Sequence, residues 1–207
     1  MASCDLWLAD LTLHGAHLAK EARANHALDA SALARVAKLG RSGKARDLAA
    51  SYGLLWRALG RPPALGKRIR RSETGWPVVP GGPAFSLSRT SGWAAVAVTG
   101  AGGVGLDIEA LSGPEPSLPI LAEVADLCGA GAEASPLAAF TLLEAWVKLR
   151  GDRLAAALAT PGSGRELREA AMRARLEGRL HPLGYADQFT GHLWTETVST
   201  APRIRFL

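Results

Sequence analysis

The stretch Gly103-Val104-Gly105-Leu106-Asp107-Ile108-Glu109 decides how the rest of the chain is read. Val104, Leu106 and Ile108 alternate with Gly105, Asp107 and Glu109. A strand has a side-chain period of two, so the three apolar groups face one side and the two carboxylates the other. Like charges held side by side repel unless a cation lies between them. Adjacent hard oxygen ligands among small glycines suit Mg²⁺, which keeps some waters and takes other ligands from a substrate phosphate. The competing reading is a strand end carrying two solvated acids.

Upstream, Trp93–Thr99 is apolar throughout and reads as a buried strand. Before it, Phe85 and Leu87 lead into a turn over Ser88-Arg89-Thr90-Ser91-Gly92, and the glycines of 100–105 join the two strands. Downstream, 111–119 is a Pro-rich connection, followed by helical patterns at 120–127 and Pro136–Arg150. The second helix has Ser135 as N-cap, Pro136 at its first position and Gly151 just past its end. Phe140, Leu143, Trp146 and Val147 form its buried side. Thr141, Glu144 and Lys148 fall on one polar stripe. In isolation that stripe is more simply explained by an ordinary exposed Glu–Lys pair.

Nearer the N-terminus, Leu6, Leu8, Leu11 and Leu13 suggest an opening strand. Asp29-Ala30-Ser31 offers a helix N-cap before Leu33, Val36, Ala37 and Leu39. Gly40 and Gly43 break that helix, 45–59 forms a second, and 61–83 reads as loop. The tail from about 173 onward shows short alternating stretches at 193–198 and 204–207, read as strands. Each half thus runs strand, helices, strands, which hints at two similar lobes.

A chain of 207 residues, 48% hydrophobic and 21% charged, supports a soluble globular fold with a real core. No apolar run is long enough for a bilayer, and residues 1–5 lack the basic start and apolar stretch of a signal peptide. Cys4 and Cys128 are too few for a disulfide framework or a cysteine zinc site, so a cytoplasmic protein with reduced thiols is expected. His14, His17, His26, His181 and His192 have no metal-ligand spacing, since the pattern around His14 and His17 is strand and loop.

The net charge is +5 and the pI about 9.7. Basic residues crowd 35–71, including Arg35, Lys38, Arg41, Lys44, Arg46, Arg57 and Arg71, with Asp47 alone opposing them. Such a chain favours anionic partners: nucleic acid, a phosphorylated cofactor or an acidic protein. The run has few interleaved aromatics and the chain has no nucleic-acid motif, so nucleic acid is set aside.

Three segments in order resemble the 4′-phosphopantetheinyl transferases of the surfactin-synthetase-activating type. Phe85-Ser86-Leu87-Ser88-Arg89-Thr90-Ser91-Gly92 is similar to the family's Phe-Asn-Leu-Ser-His-Ser-x-Gly segment. Gly105-Leu106-Asp107-Ile108-Glu109 is similar to its Gly-Val/Ile-Asp-Ile/Val-Glu strand. Phe140-Thr141-Leu142-Leu143-Glu144-Ala145-Trp146-Val147-Lys148 is similar to its Trp-Thr/Ser-x-Lys-Glu-Ala-x-x-Lys helix. The resemblance covers 85–154 well.

The resemblance implies an α+β fold of two similar lobes, a pseudo-dimeric monomer. The N-terminal lobe would span 1–100 and the C-terminal lobe 101–207, with the cofactor in the cleft between them. It implies transfer of the phosphopantetheine arm of coenzyme A to a serine of an acidic acyl or peptidyl carrier protein, releasing adenosine 3′,5′-bisphosphate. Asp107, Glu109 and Glu144 would hold Mg²⁺. Glu144, Lys148 and Asp107 would be catalytic, with Glu144 as base and Lys148 on the phosphates. Coenzyme A would meet Ser88, Arg89, Thr90, Trp76, Pro77 and the basic residues Lys38, Arg41 and Arg46, besides Asp107, Glu144 and Lys148. No membrane association is implied.

Three positions depart from the family pattern. Arg89 replaces a His, Leu143 replaces the Lys before the catalytic Glu, and Trp76 replaces a Lys before Pro77. These lost or altered cations motivate an alternative, a non-catalytic relative that binds coenzyme A or a carrier protein. Trp76 and Trp93 flank the serine segment and are candidates to touch adenine, although packing is the simpler role.

Overall fold

The computed structural model describes residues 3–112, 118–128, 135–198 and 200–207. Among these the fold is α+β, with eight helices and nine strands. Part of the expected 111–119 connection lies outside the described residues.

Strand β1 (Cys4–Asp10) buries Leu6 and Leu8 on one face and ends where Asp10 caps α1 (Leu11–Ala24), its Oδ1 accepting from Thr12 N at 2.8 Å. The opening strand is therefore shorter than expected, and Leu11, Leu13, His14 and His17 are helical. The cap decides this, because it gives the first free amides of a helix an acceptor that a strand would not use. His17 Nε2 sits 3.2 Å from Glu21, one turn on.

Asp29 caps α2 (Ala30–Leu39), which ends at Gly40. Gly43 does not break a helix but opens α3 (Gly43–Ala58), because Ser42 caps it through Ala45 N. A Cβ on Gly53 would stand 2.2 Å from Leu18 O, so α3 crosses α1 backbone against backbone there. The expected loop 61–83 contains a short helix α4 (Leu65–Arg68) and two short paired strands, β2 (Arg70–Arg71) and β3 (Pro77–Val78).

The turn expected over 88–92 is confined to Ser91 and Gly92, because Ser88, Arg89 and Thr90 continue a strand. Ala84–Thr90 is strand β4, hairpinned through Ser91 and Gly92 to β5 (Trp93–Thr99). Ser, Thr and Gly suggested a turn, but alternate Ser86, Ser88 and Thr90 find partners across a sheet boundary, described below. Strand β6 (Val104–Ala110) follows, then α5 (Leu118–Cys128), α6 (Pro136–Arg150), α7 (Leu154–Ala159) and α8 (Ser163–Leu176). Strands β7 (Leu180–Tyr185), β8 (Phe189–Thr195) and β9 (Arg203–Phe206) complete the chain. The tail is thus helical as far as Leu176.

One sheet has the order β4-β5-β1-β9, with β9 parallel to β1 and the other pairs antiparallel. The other has the order β6-β8-β7, antiparallel throughout. The sheets face each other through Leu6, Leu8, Ala95 and Ala97 on one side and Val104, Leu106, Ile108, Phe189 and Leu193 on the other. Helices α1 to α3 cover the outer face of the first sheet. Helices α5, α6 and α8 cover that of the second. Helix α6 is capped by Ser135 and ends at Gly151 with φ 70°, as its sequence predicts. It is buried almost all round because it lies between β6 and β8 on one side and α5 on the other.

No helix among the described residues is long and apolar enough to cross a membrane. Cys4 and Cys128 are both buried free thiols, and burial pushes each up to about 11.

Candidate functional site

Strand β6 is an edge strand, so alternate backbone amides along it need partners. Strand β4 supplies them from side chains. Ser86 Oγ accepts from Leu106 N at 3.0 Å, Ser88 Oγ from Ile108 N at 3.3 Å, and Thr90 Oγ1 from Ala110 N at 2.9 Å. A ladder of hydroxyls thus stitches the first sheet to the edge of the second. Each hydroxyl retains a proton to give. Ser88 donates it to Asp107 Oδ1 at 2.7 Å, and Thr90 to Glu109 Oε2 at 2.9 Å.

Asp107 is 4% exposed, which rules out a solvated strand end. Its Oδ1 also receives Lys148 Nζ at 2.6 Å, while its Oδ2 is buried without a hydrogen-bond partner. Lys148 reaches across from α6, donates to Leu106 O at 3.1 Å, and lies 5.8 Å from the centre of the Trp76 ring. It is only 10% exposed, so the Glu144–Lys148 stripe is not an ordinary surface pair.

Helix α6 approaches this closely because of Gly105. A Cβ there would stand 1.9 Å from Ala145 O and 2.7 Å from Leu149 N. The glycine of the opening motif therefore serves contact between strand and helix.

Asp107, Glu109, Glu144 and Lys148 line one wall of a cleft of about 370 Å³. Burial pushes the Glu109 carboxyl up to about 7, with Asp107 adding to the effect and Thr90 and Lys148 opposing it. Burial also raises Glu144, opposed by Lys148. Burial holds His192, opposite Asp107 on β8, down to about 4, with Arg175 contributing.

The cleft is also lined by Arg35, Arg71 and Arg89, with Ser51, Tyr52, Trp76 and Pro77. Arg71 donates to Asp29 Oδ2 at 2.6 Å and to the Tyr52 hydroxyl at 2.9 Å, so it is already neutralised. Arg89 has no hydrogen bond or ion pair among the described residues. Burial and the neighbouring Arg35 make its positive charge less favourable, opposed by Asp47. Two guanidiniums close enough to repel in one cleft are suited to an anion.

A strap from the N-terminal half closes one end of the cleft. Thr74 Oγ1 donates to Gly151 O, Trp76 Nε1 to Asp152 O at 2.6 Å, and Arg153 Nε to Thr74 O at 3.0 Å. Trp76 thus contributes an aromatic wall beside Lys148. Leu143 is fully buried in the α5–α6–α8 core, away from the cleft. Trp93 does not line the cleft; it packs in the intersheet core, 5.2 Å from Phe189.

Of the residues expected at the site, Trp76, Pro77, Ser88, Arg89, Asp107, Glu109, Glu144 and Lys148 line the cleft. Lys38, Arg41 and Arg46 do not; Arg46 lies on Asp47 at 2.9 Å. Thr90 is also outside the lining, committed to Glu109 and the Ala110 amide. Arg35 and Arg71 stand in their place. Both belong to the same basic run, but no local pattern separates them from its other members.

Among the described residues no three His, Cys, Asp or Glu side chains converge as a ready metal-holding group. The donor chemistry nonetheless fits a hard divalent cation. Asp107, Glu109 and Glu144 offer carboxylate oxygens on one wall, and Asp107 Oδ2 is a buried acceptor with nothing to accept. No protein-family model matches the chain, and no curated protein does.

Proposed function

We propose that the chain is a Mg²⁺-dependent 4′-phosphopantetheinyl transferase, moving the arm of coenzyme A onto a serine of an acidic carrier protein. The observation that carries this reading is Asp107, clasped by Ser88 and Lys148 with its second oxygen unpartnered, at the wall of a cleft also lined by Arg35 and Arg89.

Asp107, Glu109 and Glu144 would hold the metal. Bound Mg²⁺ would neutralise charge building on the bridging and leaving oxygens of the pyrophosphate. Glu144 takes the proton of the incoming serine hydroxyl, and its raised pKa brings it closer to the working pH of a base. Lys148 stabilises the leaving adenosine bisphosphate from a site where little water screens it. Arg89 and Arg35 receive the remaining phosphate, and Trp76 forms the wall beside them. The two-lobed, pseudo-dimeric arrangement belongs to the same reading. It is supported by connectivity: β1, helices and the β4–β5 hairpin are followed by β6, helices and the β7–β8 hairpin. In each half the first strand pairs with the last of that set.

The test is intact-protein mass spectrometry of apo carrier proteins incubated with the chain, coenzyme A and Mg²⁺. One carrier gains the mass of a phosphopantetheine arm, and Glu144→Ala removes the gain. Failure across acyl and peptidyl carriers would refute the proposal.

The raised pKa of Glu109 gives a second expectation. A carboxyl whose folded pKa lies above its unfolded value favours folding while protonated. Its stability contribution is therefore complete below about pH 4.5 and lost as pH rises through about 7. Without Mg²⁺, Glu109→Gln, neutral at every pH, should gain melting temperature relative to the parent across that window. Saturating Mg²⁺, which favours the ionised carboxylate, should reverse the trend in the parent alone. A melting difference independent of pH would contradict the assignment.

A further inference from the structure

Helix α6 carries Glu144 and Lys148, strand β6 carries Asp107 and Glu109, and the two groups must stay in register. Gly105 lets the helix touch the strand under Ala145 and Leu149, where the hydrogen bonds from α6 to β6 come from the long side chain of Lys148. A second point of attachment lies one turn before Glu144. Thr141, fully buried, has its Oγ1 2.9 Å from His192 Nδ1 and 3.0 Å from Ala138 O. The Thr141 hydroxyl has one proton for Ala138 O or Nδ1, so the His192 tautomer sets the direction of the Thr141–His192 bond, and the two side chains are joined in either tautomer. His192 is 2% exposed and lies directly opposite Asp107 in the β6–β8 register. Beside it, a Cβ on Gly191 would stand 2.4 Å from Asp107 O, so β8 lies close against β6 there, and the antiparallel ladder holds the register of the two strands.

We infer that His192 is a positioning residue: through its Nδ1 bond to Thr141 it fixes the axial register of α6, so that Glu144 and Lys148 stand opposite Asp107. The role of this register in transfer rests on the function proposed above; the register itself does not.

The test uses the full chain and a graded set of variants. Asparagine places an amide, able to donate or to accept, where Nδ1 stands, whereas glutamine places one nearer Nε2. His192→Asn should therefore keep kcat within roughly threefold of the parent. His192→Gln and Thr141→Val should lower kcat roughly tenfold to a hundredfold with KM for coenzyme A little changed, as expected of misplaced reacting groups. Thr141→Ser, which keeps the hydroxyl, should restore it. Equal losses for Asn and Gln, or a kcat unmoved by Thr141→Val, would overturn the inference. So would a fall in melting temperature without a change in kcat, which is what a purely structural bond would give.

A readout independent of transfer keeps the two proposals apart. In a double-mutant cycle on melting temperature, Thr141→Val and Lys148→Met should be non-additive, because the first loosens the Lys148–Asp107 pair that the second removes. An additive cycle overturns the positioning role. A non-additive cycle in a protein that transfers nothing sustains the positioning role and refutes the proposed function.

Discussion

Asp107→Ala is expected to abolish phosphopantetheinyl transfer and also to destabilise the fold by about 3 kcal/mol, the cost of breaking a buried ion pair from one side. Lys148, 10% exposed, would lose its counter-ion at 2.6 Å and keep only the Leu106 carbonyl as acceptor. Ser88 would lose the acceptor of its proton while still serving the Ile108 amide. A solvated strand-end acid would cost little to remove; burial of Asp107 and Lys148 makes the cost large. Stability and chemistry separate in the double variant Asp107→Asn with Lys148→Met. It removes both charges and keeps similar volumes, so its urea midpoint should return close to the parent. Transfer should remain absent, because a proposed metal ligand and a leaving-group cation are both gone. Appreciable transfer by the double variant, measured on an apo carrier, would sink the roles given to both residues.

The second large effect is expected at Gly105, which bears no functional group. Gly105→Ala sets a Cβ 1.9 Å from Ala145 O and 2.7 Å from Leu149 N, both backbone atoms of α6. Neither can rotate away, so the helix must lift from the strand along its C-terminal half. Overpacking of this kind costs about 3 kcal/mol. Glu144 and Lys148 flank the clash on the same helix and would move with it, so transfer should fall together with the melting temperature. Gly103→Ala is the control. Its nearest neighbour is the end of the Leu149 side chain at 3.2 Å, which can give way, so a small effect is expected on both counts. Equal melting temperatures for Gly105→Ala and the parent would show that α6 is not held against β6 as described.

The two substitutions show which parts of the site were legible beforehand. The alternation in 103–109 correctly separated Val104, Leu106 and Ile108, which enter the intersheet core, from Asp107 and Glu109, which line the cleft. The caps and spacing of α6 put Glu144 and Lys148 on one stripe, while the expectation that they stand beside Asp107 came from the family resemblance. Both signals are local, and secondary-structure periodicity is enough to read them. The serine segment misled for the same reason. Ser, Thr and Gly commonly mark turns through local hydrogen bonds. Here the hydroxyls bond to a strand some 20 residues on, closing an open sheet edge that no local pattern announces.

The sequence by itself determined the two elements that bring carboxylates to the cleft, β6 and α6, and the face each presents. It did so because strand alternation, helix caps and helical spacing act within a few residues. Only the tertiary structure decided how the surroundings are divided. Arg35 and Arg71 reach the cleft while Lys38, Arg41 and Arg46 do not. Ser88 and Thr90 steady carboxylates, Trp76 is strapped across to Asp152, and His192 meets Thr141 from 51 residues away. Those outcomes follow from which sheet edge lies open and which helix packs against it. Such contacts are settled by burial and by the pairing of polar groups far apart in the chain.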